Sequence, residues 1–347
     1  MNSYSLKQLG LQTIVEEQYK QESLKIGRVA TSANERYKIL SPEGEFQATI
    51  LGKIRFLAES ARDLPCVGDW VLYQKMDGDS QAVIHQVLDR SSLLSRKAPG
   101  DKKEEQIMAA NVDFVFLVNA LNNDFNIRRM ERYLYLVYES GALPIFVLTK
   151  KDLCDDVEDK IRAIQDIAPG TPVIAVDSLS GEGYEELYSF IKEGKTVSLI
   201  GSSGVGKSTV INRLFGKEMQ KTKDIRASDH KGKHTTTHRE LFVLPKGGVI
   251  IDTPGMREIQ LWGTEESVHQ AFDDIEALAA QCRFIDCKHE TEPHCAVKDA
   301  IHKGKLDVER LESFRKLERE VRHLELKEKY GTHRASKMQW EEFRKKL

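Results

Sequence analysis

The pattern of hydrophobic and polar positions divides the 347-residue chain into three regions of different character. From residue 26 to about residue 94, apolar and polar residues alternate in short runs that turn residues separate. The five runs are Gly27–Ala30, Tyr37–Leu40, Phe46–Ile50, Val67–Tyr73 and Ala82–Ile84. Alternation of this length is typical of half-buried antiparallel strands. We therefore expect a small closed β-barrel in this region.

In the second region, buried strands alternate with amphipathic helices. We predict strands at Val112–Val118, Pro144–Leu148, Pro172–Val176, Thr196–Ile200 and Gly248–Ile251, and helices at Arg128–Gly141, Val157–Ile167, Tyr184–Ile191 and Thr209–Leu214. Such alternation predicts a doubly wound sheet of mostly parallel strands. A basic segment at residues 96–103 precedes this region, and we interpret it as a solvated linker.

Beyond about Trp262 the strand pattern ends, and a helical segment with clustered cysteines follows. Its apolar residues recur at spacings of three and four from Leu306 to Leu324, which predicts an amphipathic helix whose stripe packs in a core. We expect three domains: an oligonucleotide-binding (OB) fold barrel with an amino-terminal extension at 1–95, an α/β domain at 96–265 and a helical domain at 266–347. The residues before Ile26 receive no role from the sequence.

Composition narrows the class of protein. The chain is 40% hydrophobic and 31% charged, with a formal net charge of -2, which predicts folded domains and no overall attraction to nucleic acid. The barrel region carries 11 basic and 12 acidic residues, so RNA would have to be bound by local patches. The chain start lacks the basic and apolar segments of a secretory signal, and no apolar run approaches ~20 residues. We expect a soluble, monomeric, cytoplasmic protein.

A phosphate loop follows one predicted strand and opens the next helix. It reads Gly201-Ser202-Ser203-Gly204-Val205-Gly206-Lys207-Ser208, directly after Ile200, and fits the pattern G-x-x-x-x-G-K-[ST]. Glycines let backbone N–H groups converge on phosphate oxygens, and the helix adds its positive end. Lys207 would reach the β- and γ-phosphates, and Ser208 would bind Mg²⁺. The sequence therefore predicts a nucleotide site.

Two further segments indicate which nucleotide binds. Asp252-Thr253-Pro254-Gly255 follows a buried strand, so that Asp252 can hold Mg²⁺ and Gly255 can offer an N–H to the γ-phosphate. Thr149-Lys150-Lys151-Asp152 follows another strand. Its carboxylate can accept two hydrogens from the guanine edge, for which adenine has no equivalent pair of donors. We expect Thr149, in place of the usual Asn, to weaken the contact that tethers the phosphate loop. Ser178 would complete the base pocket through a backbone N–H.

The motifs occur in an unusual order, since the guanine motif precedes the phosphate loop. A circular permutation explains this order without moving any residue in space.

The segment from Lys221 to His238 is polar and without apolar periodicity, which is typical of a switch loop that a γ-phosphate orders. One hydroxyl of Thr235–Thr237 would bind Mg²⁺, with Thr236 as the candidate ligand, and Thr235 and Thr236 are the candidate catalytic residues. Where Ras-like enzymes orient water with Gln, this chain has Met256, whose thioether cannot do so. We therefore expect slow intrinsic hydrolysis, with His234 as the candidate water-orienting group and His230 and His238 as its competitors.

Three cysteines and a histidine cluster near the carboxyl end. Cys282, Cys287, His289 and Cys295 follow the pattern C-x4-C-x-H-x5-C, with His294 as an alternative nitrogen ligand. Three thiolates and one imidazole form a closed tetrahedral Zn²⁺ shell, which leaves no position for a substrate. We predict a structural zinc site.

These segments together resemble one family of proteins, the circularly permuted ribosome-assembly GTPases known as RsgA, also YjeQ or EngC. The resemblance covers essentially the whole chain and rests on residues 149–152, 201–208, 232–237 (Gly-Lys-His-Thr-Thr-Thr), 252–255 and the cysteine cluster. It implies Mg²⁺-dependent hydrolysis of GTP to GDP, stimulated by the small (30S) ribosomal subunit. It also implies binding to 16S rRNA near the decoding centre late in 30S maturation, and it favours His289 as the zinc ligand. Two alternatives stay open: an RNA-binding regulatory GTPase not tied to ribosomes, and an ATPase.

Overall fold

The amino-terminal region folds as a closed five-stranded barrel, as predicted. The computed structural model describes residues 4–11, 17, 19, 23–76, 80–98, 105–216, 239–253 and 264–330. The barrel strands are β1 (Lys25–Ala33), β2 (Arg36–Ser41), β3 (Gly44–Ile50), β4 (Trp70–Lys75) and β5 (Gln81–Val87). Strands β1, β2 and β3 form an antiparallel meander, β3 runs parallel to β5, and β4 pairs with both β5 and β1. The last of these pairings closes the barrel. Helix α1 (Gly52–Leu57) and a 3-10 turn (Ala61–Asp63) connect β3 to β4.

A hairpin stands where the sequence predicted a linker. Its strands are β6 (Leu93–Lys97) and β7 (Glu105–Ala110), so Arg96 and Lys97 of the basic segment pair with Gln106 and Glu105. The hairpin forms because its apolar side chains, Leu94 among them, pack into the core while the basic ones stay at its rim. Residues 99–104 of the predicted linker lie outside the described part of the chain.

The central region is a six-stranded sheet with helices on both faces, as the alternation predicted. Its strands are β8 (Phe114–Ala120), β9 (Leu143–Thr149), β10 (Val173–Ala175), β11 (Thr196–Ile200), β12 (Glu240–Val243) and β13 (Val249–Asp252), in the order β10-β9-β8-β11-β13-β12. All are parallel except β12, which is antiparallel to β13. The helices are α2 (Ile127–Ser140), α3 (Val157–Ile167), α4 (Tyr184–Phe190) and α5 (Lys207–Phe215).

Alternate residues of the central strands supply two separate cores. In β8, Val115 and Leu117 belong to the core that includes α2 and α3, whereas Phe116 and Val118 belong to the core that includes α4 and α5. Because side chains alternate between the faces of a strand, a run that is apolar throughout must be covered on both sides.

Four helices follow the central sheet in the described part of the chain, and the first and last of them pack against α2. In chain order they are α6 (Glu265–Ala271), α7 (Asp273–Ala279), α8 (Ala296–His302) and α9 (Val308–Tyr330). The predicted apolar stripe of α9 is core, since Leu311, Phe314, Leu317 and Val321 are buried. None of the helices in the described ranges is long and apolar enough to cross a membrane.

A buried arginine joins the barrel to the central sheet. Arg28 of β1 is fully buried and stacks on Trp70, with its guanidinium 4.9 Å from the ring centre. It donates hydrogen bonds to Gly68 O (3.1 Å), Asn111 O (2.9 Å), Thr196 Oγ1 (2.7 Å) and Leu9 O. Burial lowers the pKa of Arg28 to about 10, which still leaves it charged at neutral pH.

The residues before Ile26 thus have a structural role that the sequence did not predict. Leu9 is fully buried, and its carbonyl accepts from Arg28. Gly10 lies so close that a Cβ there would come within 2.8 Å of Arg28 Nη1.

We expect Arg28→Ala to destabilise the protein strongly, because it removes a donor from four buried acceptors, of which Gly68 O alone keeps another donor among the described residues, Asn111 Nδ2 at 3.2 Å. The loss should be about 3 kcal/mol or more, given ~1–3 kcal/mol for each unsatisfied buried group. Urea unfolding of the full chain measures it, with Arg36→Ala, an exposed arginine of β2, as the matched control. Equal unfolding midpoints for the two variants would contradict the assignment of Arg28 as the joint.

Candidate nucleotide site and candidate zinc centre

The phosphate loop lies between the buried end of β11 and the first turn of α5. Its glycines are required by space and by backbone conformation. A Cβ on Gly201 would come within 2.4 Å of Val118 O, and Gly204 (φ 85°) and Gly206 (φ 100°) lie in the left-handed region. Glycine alone reaches that region at no steric cost, so these positions let the loop curl around the side chain of Lys207.

Lys207 is held inside this curl. Its side chain is buried, and Nζ donates to Gly201 O and Ser202 O, each at 2.7 Å. Burial lowers the pKa of Lys207 to about 8, while the negative charge of Asp252 acts in the opposite direction. A phosphate beside the ammonium group would favour the charged form further. Lys207 is therefore a cation already placed for a phosphate.

The end of β13 lies beside the phosphate loop. Asp252 is 3% exposed at the end of this strand, and Ser208 lies in the first turn of α5. The buried Thr253 donates from Oγ1 to Leu199 O at 2.6 Å, which fixes β13 against β11. Two of the three residues predicted to hold Mg²⁺ thus stand at one edge of the sheet, where a hydroxyl and a carboxylate fit that ion.

The predicted guanine motif is tied directly to the phosphate loop. Thr149 is buried at the end of β9, and its Oγ1 donates to Val205 O at 2.5 Å. Gly206 lies against the same side chain, since a Cβ on this glycine would stand 3.4 to 3.5 Å from atoms of Thr149. The threonine hydroxyl therefore reaches the loop carbonyl and makes the tether, while the expectation that this tether is weaker than one from Asn stays a prediction.

The rest of the guanine motif leads into a 3-10 turn (Lys151–Leu153) directly after β9. Lys150 has a left-handed backbone (φ 59°), Lys151 pairs with Glu182 at 2.5 Å, and the Asp152 carboxylate is exposed. A backbone hydrogen bond from Lys151 N to Val176 O (3.4 Å) joins this loop to the end of β10.

Ser178 lies in the next loop, after β10. Its hydroxyl is 2.7 Å from Tyr184 OH, and it borders a cavity of about 420 Å³ that α5 also lines through Thr209 and Asn212. The side chain is engaged with Tyr184, so Ser178 would offer a base its backbone group, as the sequence suggested.

Asp124 contacts the phosphate loop and was missed by the sequence reasoning. Its Oδ2 accepts from Ser202 Oγ at 2.9 Å and pairs with Arg129 of α2 at 2.9 Å. Nearby, the amide of Asn119 is buried at the end of β8 with no hydrogen-bond partner among the described residues. Asp124 could have been found from the sequence, because the run Asn122-Asn123-Asp124 follows a buried strand. Ligands in such sheets bind at the carboxyl ends of the strands.

The remaining predicted catalytic residues lie outside the described residues. These are His234, Thr235, Thr236 and Gly255, together with Met256 and the competing histidines His230 and His238.

The four predicted zinc ligands converge in the carboxyl-terminal region. Ligand atoms of Cys282, Cys287, His289 and Cys295 all lie within 4.8 Å of one another. Cys282 Sγ and Cys295 Sγ are 3.8 Å apart, which matches the roughly 3.8 Å edge of a tetrahedron with Zn–S bonds of ~2.3 Å. His289 contributes Nδ1, at 3.3 Å from Cys295 Sγ. The alternative ligand, His294, uses its carbonyl to accept from Arg283 N (3.4 Å).

Hydrogen bonds brace the ligand loop from two sides. Arg315 of α9 donates to Lys288 O and His289 O, both at 2.9 Å. Glu292 accepts from the N–H groups of Lys288 (2.8 Å) and Glu290 (2.8 Å). Backbone N–H groups around this turn, its own first, lower the pKa of Glu292 to about 2. Such support fixes the positions of ligands, so the donor set fits a structural zinc ion.

Comparisons of the chain with known proteins agree on one family. A family model described as RsgA GTPase matches residues 87–262. The small ribosomal subunit biogenesis GTPase RsgA 2 of Lactiplantibacillus plantarum is 44% identical over 318 residues, covering 91% of this chain and 89% of that protein. The protein named small ribosomal subunit biogenesis GTPase RsgA in Syntrophotalea carbinolica is 43% identical over 346 residues, with coverages of 96% and 94%.

Two solved structures share the fold. YjeQ from Thermotoga maritima has a TM-score of 0.64 at 28% identity, covering 86% of this chain and 98% of that one. YloQ, described as a circularly permuted GTPase, has a TM-score of 0.62 at 25% identity, with coverages of 87% and 96%. The permuted order of the motifs and the matched family agree, and the chain belongs to the RsgA GTPase family.

Proposed function

We propose that this protein is a GTPase of small ribosomal subunit biogenesis that binds 16S rRNA and hydrolyses GTP when the 30S subunit stimulates it. The carrying observation is the hydrogen bond between Thr149 and Val205, which joins the guanine motif to the phosphate loop in one site. The relatives that share about nine-tenths of its length are named for this role. Their name favours the ribosome over a regulatory GTPase with another target. We expect the protein to act as a monomer in the cytoplasm.

In this proposal the phosphates of GTP bind the backbone N–H groups of residues 201–208. Lys207 would neutralise the β- and γ-phosphates, and the exposed Asp152 would accept hydrogens from the guanine edge. Ser208, Asp252 and Thr236 would hold Mg²⁺, which supplies charge neutralisation between the β- and γ-phosphates when bound. Each of these roles uses a residue type that the chemistry requires.

Hydrolysis needs a group that orients water, and Met256 cannot provide it. His234 is our candidate, and stimulation by the subunit would bring it into place. Asp124 acts indirectly: by accepting from Ser202 it holds the loop whose carbonyls receive Lys207. We therefore expect GTP to bind without a partner, and we expect hydrolysis to require the small subunit.

The chain is anchored on both sides of residues 254–263, which include Gly255 and lie outside the described residues. Thr253 is bonded to β11, and on the far side Thr264 donates from N (2.9 Å) and Oγ1 (3.1 Å) to Glu139 of α2. A conformational change at Gly255 on hydrolysis would therefore be transmitted to Thr264, at the start of the carboxyl-terminal helices. This is how loss of the γ-phosphate would release the protein from the subunit.

Purified 30S subunits should raise the GTPase rate by at least tenfold, and the protein should co-sediment with them when a non-hydrolysable GTP analogue is bound. His234→Ala should keep co-sedimentation and lose most of the stimulated rate, by roughly 100-fold, as expected for a lost proton-transfer or water-orienting group. His302→Ala, on α8, is the matched control. Absence of both stimulation and co-sedimentation in the wild type would refute the proposed function, and a fully stimulated His234→Ala would remove that residue from the mechanism.

Asp152→Asn should weaken GTP binding by about tenfold or more and improve binding of xanthosine triphosphate. An amide donates where the carboxylate accepted, and paired hydrogen bonds to a base edge are worth ~1–3 kcal/mol. Calorimetry with GTP, XTP and ATP measures the change, with Asp155→Asn, an exposed neighbour outside the motif, as control. If the wild type bound ATP as tightly as GTP, the enzyme would be an ATPase and the assignment of Asp152 would fail.

Metal analysis should find one Zn²⁺ per chain and none in the Cys282→Ser/Cys295→Ser double variant. Chelation should expose residues 280–300 to protease, because the segment loses the ion that joins its ends. Guanine nucleotide binding should persist, since the cluster is structural. Cys154→Ser, outside the cluster, should retain the metal; a zinc-free wild type prepared without chelator would contradict the site.

A further inference from the structure

Three elements of the molecule meet beside the start of β12. Cys66, in the segment that leads into β4, packs in one small cluster with Ile107 and Ala110 of the hairpin. Ala110 N also donates to Val67 O at 2.9 Å. Arg239, which immediately precedes β12, interacts electrostatically with the Cys66 side chain. The barrel, the hairpin and the chain that follows the predicted switch segment therefore converge at one point.

Two arginines lie at this junction. Arg96 is in β6 of the hairpin, and its charge acts on Arg239: burial lowers the pKa of Arg239, and the positive charge of Arg96 lowers it further. Burial also lowers the pKa of Arg96. Because arginine keeps its charge in proteins, the two side chains repel each other. Both are partly buried, so water screens this repulsion incompletely. We call Arg96 and Arg239 the arginine pair.

Neither arginine has an acidic partner among the described residues. Arg96 donates from Nε to the neutral amide oxygen of Gln106 at 3.1 Å. The Nε of Arg239 is buried, and no described residue accepts a hydrogen bond from it. The Cys66 thiol does not neutralise the pair, because burial raises its pKa well above the usual value and keeps it uncharged. Within the described ranges, the two positive charges of the pair are therefore without a counter-charge.

Carboxylates of the neighbouring elements are bound by other arginines. Asp69, three residues beyond Cys66, accepts two hydrogen bonds from Arg90, each at 2.7 Å. Glu105 of β7 accepts two from Arg62, at 2.6 and 2.8 Å. Each of these ion pairs is neutral overall, so neither carboxylate offsets the charge of the arginine pair.

Glu240, the next residue after Arg239, lies on the other face of β12. Leu241 belongs to the core that includes α2, whereas Phe242 packs against the core that includes α5. Because side chains alternate between the faces of a strand, Glu240 shares the face of Phe242, and Arg239 shares the face of Leu241. The carboxylate of Glu240 therefore does not face the arginine pair.

Two partly buried arginines without a counter-charge indicate a site for an anion. Charges inside proteins are normally paired, because a charged group removed from water without a partner is unfavourable. The guanidinium group is planar and presents its N–H groups as a fork that matches two oxygens of a phosphate. Arg96 and Arg239 belong to different elements, so they can bind one phosphate group from two sides.

The charge of the barrel region favours RNA as the source of that phosphate. Residues 1–95 carry 11 basic and 12 acidic side chains, so a general attraction to phosphates cannot hold RNA on this region. Local sites for single phosphates can, since contacts to phosphates position a protein on a nucleic acid without reading its sequence. The arginine pair lies at the edge of the barrel and has the chemistry of such a site.

We propose that Arg96 and Arg239 together bind one backbone phosphate of ribosomal RNA, at the junction of the barrel, the hairpin and β12. This inference rests on the proposed function and assigns one phosphate contact within it.

Substitution of the arginine pair tests the site in the full-length, zinc-loaded protein. The measurement is the Kd for 30S subunits over a range of salt concentrations, by co-sedimentation with a non-hydrolysable GTP analogue. We expect Arg96→Gln and Arg239→Gln each to weaken binding about tenfold, as for the loss of a charge-assisted hydrogen bond. The double variant should bind little more weakly than either single variant, because both side chains serve one phosphate. It should also reduce the salt dependence of binding by about one phosphate contact.

Urea unfolding of the free protein distinguishes an RNA phosphate from an anion of the chain itself. The double variant should unfold at the urea concentration of the wild type or above it, because the substitutions remove a repulsion between partly buried charges. A loss of stability approaching that of Arg28→Ala would show that a carboxylate of this chain, outside the described residues, neutralises the pair. The RNA assignment would then be wrong.

Arg162→Gln is the matched control, since Arg162 lies on α3 with a side chain that is 72% exposed. It should bind 30S subunits as the wild type does. If the wild type binds and the double variant binds equally well, the inference is overturned. If the double variant binds more weakly with an unchanged salt dependence, the anion is not an RNA phosphate and the assignment fails. If the wild type itself does not bind, the failure belongs to the proposed function.

Discussion

The nucleotide site depends on one hydrogen bond, from Thr149 Oγ1 to Val205 O at 2.5 Å, between groups that are 56 residues apart. Strand β8 lies between β9 and β11, so the guanine motif and the phosphate loop are not adjacent in the sheet. The loop must reach across the end of β8 to meet Thr149. Gly201 permits this by passing close to Val118 O, and Gly206 permits the approach to Thr149 itself. The hydroxyl of Thr149 and the lack of side chains at Gly201 and Gly206 therefore bring two distant segments together in one site.

Circular permutation leaves this arrangement intact and changes only what is covalently attached to it. The barrel precedes the sheet, and the carboxyl-terminal helices follow β13. Each attached body is held by a buried arginine. Arg28 joins the barrel to β11, while Arg310 of α9 donates to Glu131 of α2 (3.0 Å) and to Asp274 (2.7 Å). A buried cation left without partners costs several kcal/mol. Each contact between domains is therefore stable only in the arrangement that supplies the partners of its arginine.

Much of the fold and site was predictable, because the informative signals are local. Apolar runs and glycine spacing determine β11, the phosphate loop and α5 within a dozen residues, and the zinc ligands lie within fourteen. The hairpin of β6 and β7 and the short strand β12 were not predicted, because four to six residues acquire strand structure only from a partner. Asp124 was missed since its partner, Ser202, lies 78 residues away. The domain limits at 95 and 265 stay predictions, and β6 spans the first of them.

Strand β12 shows how the state of the nucleotide site would reach the barrel. Glu240 at its start pairs with Asp252 of β13, the predicted Mg²⁺ ligand, and also with Thr31 of β1. This one residue therefore lies in the sheet between the site and the barrel, and it closely follows the predicted switch segment that ends at His238. If GTP orders that segment, as proposed, any shift of β12 would act where the strand meets both partners. A sheet transmits such a shift because its ladder bonds are short and directional. The strand least evident in the sequence is thus the element that connects the sheet of the nucleotide site to the barrel, and any coupling between the two would pass through it.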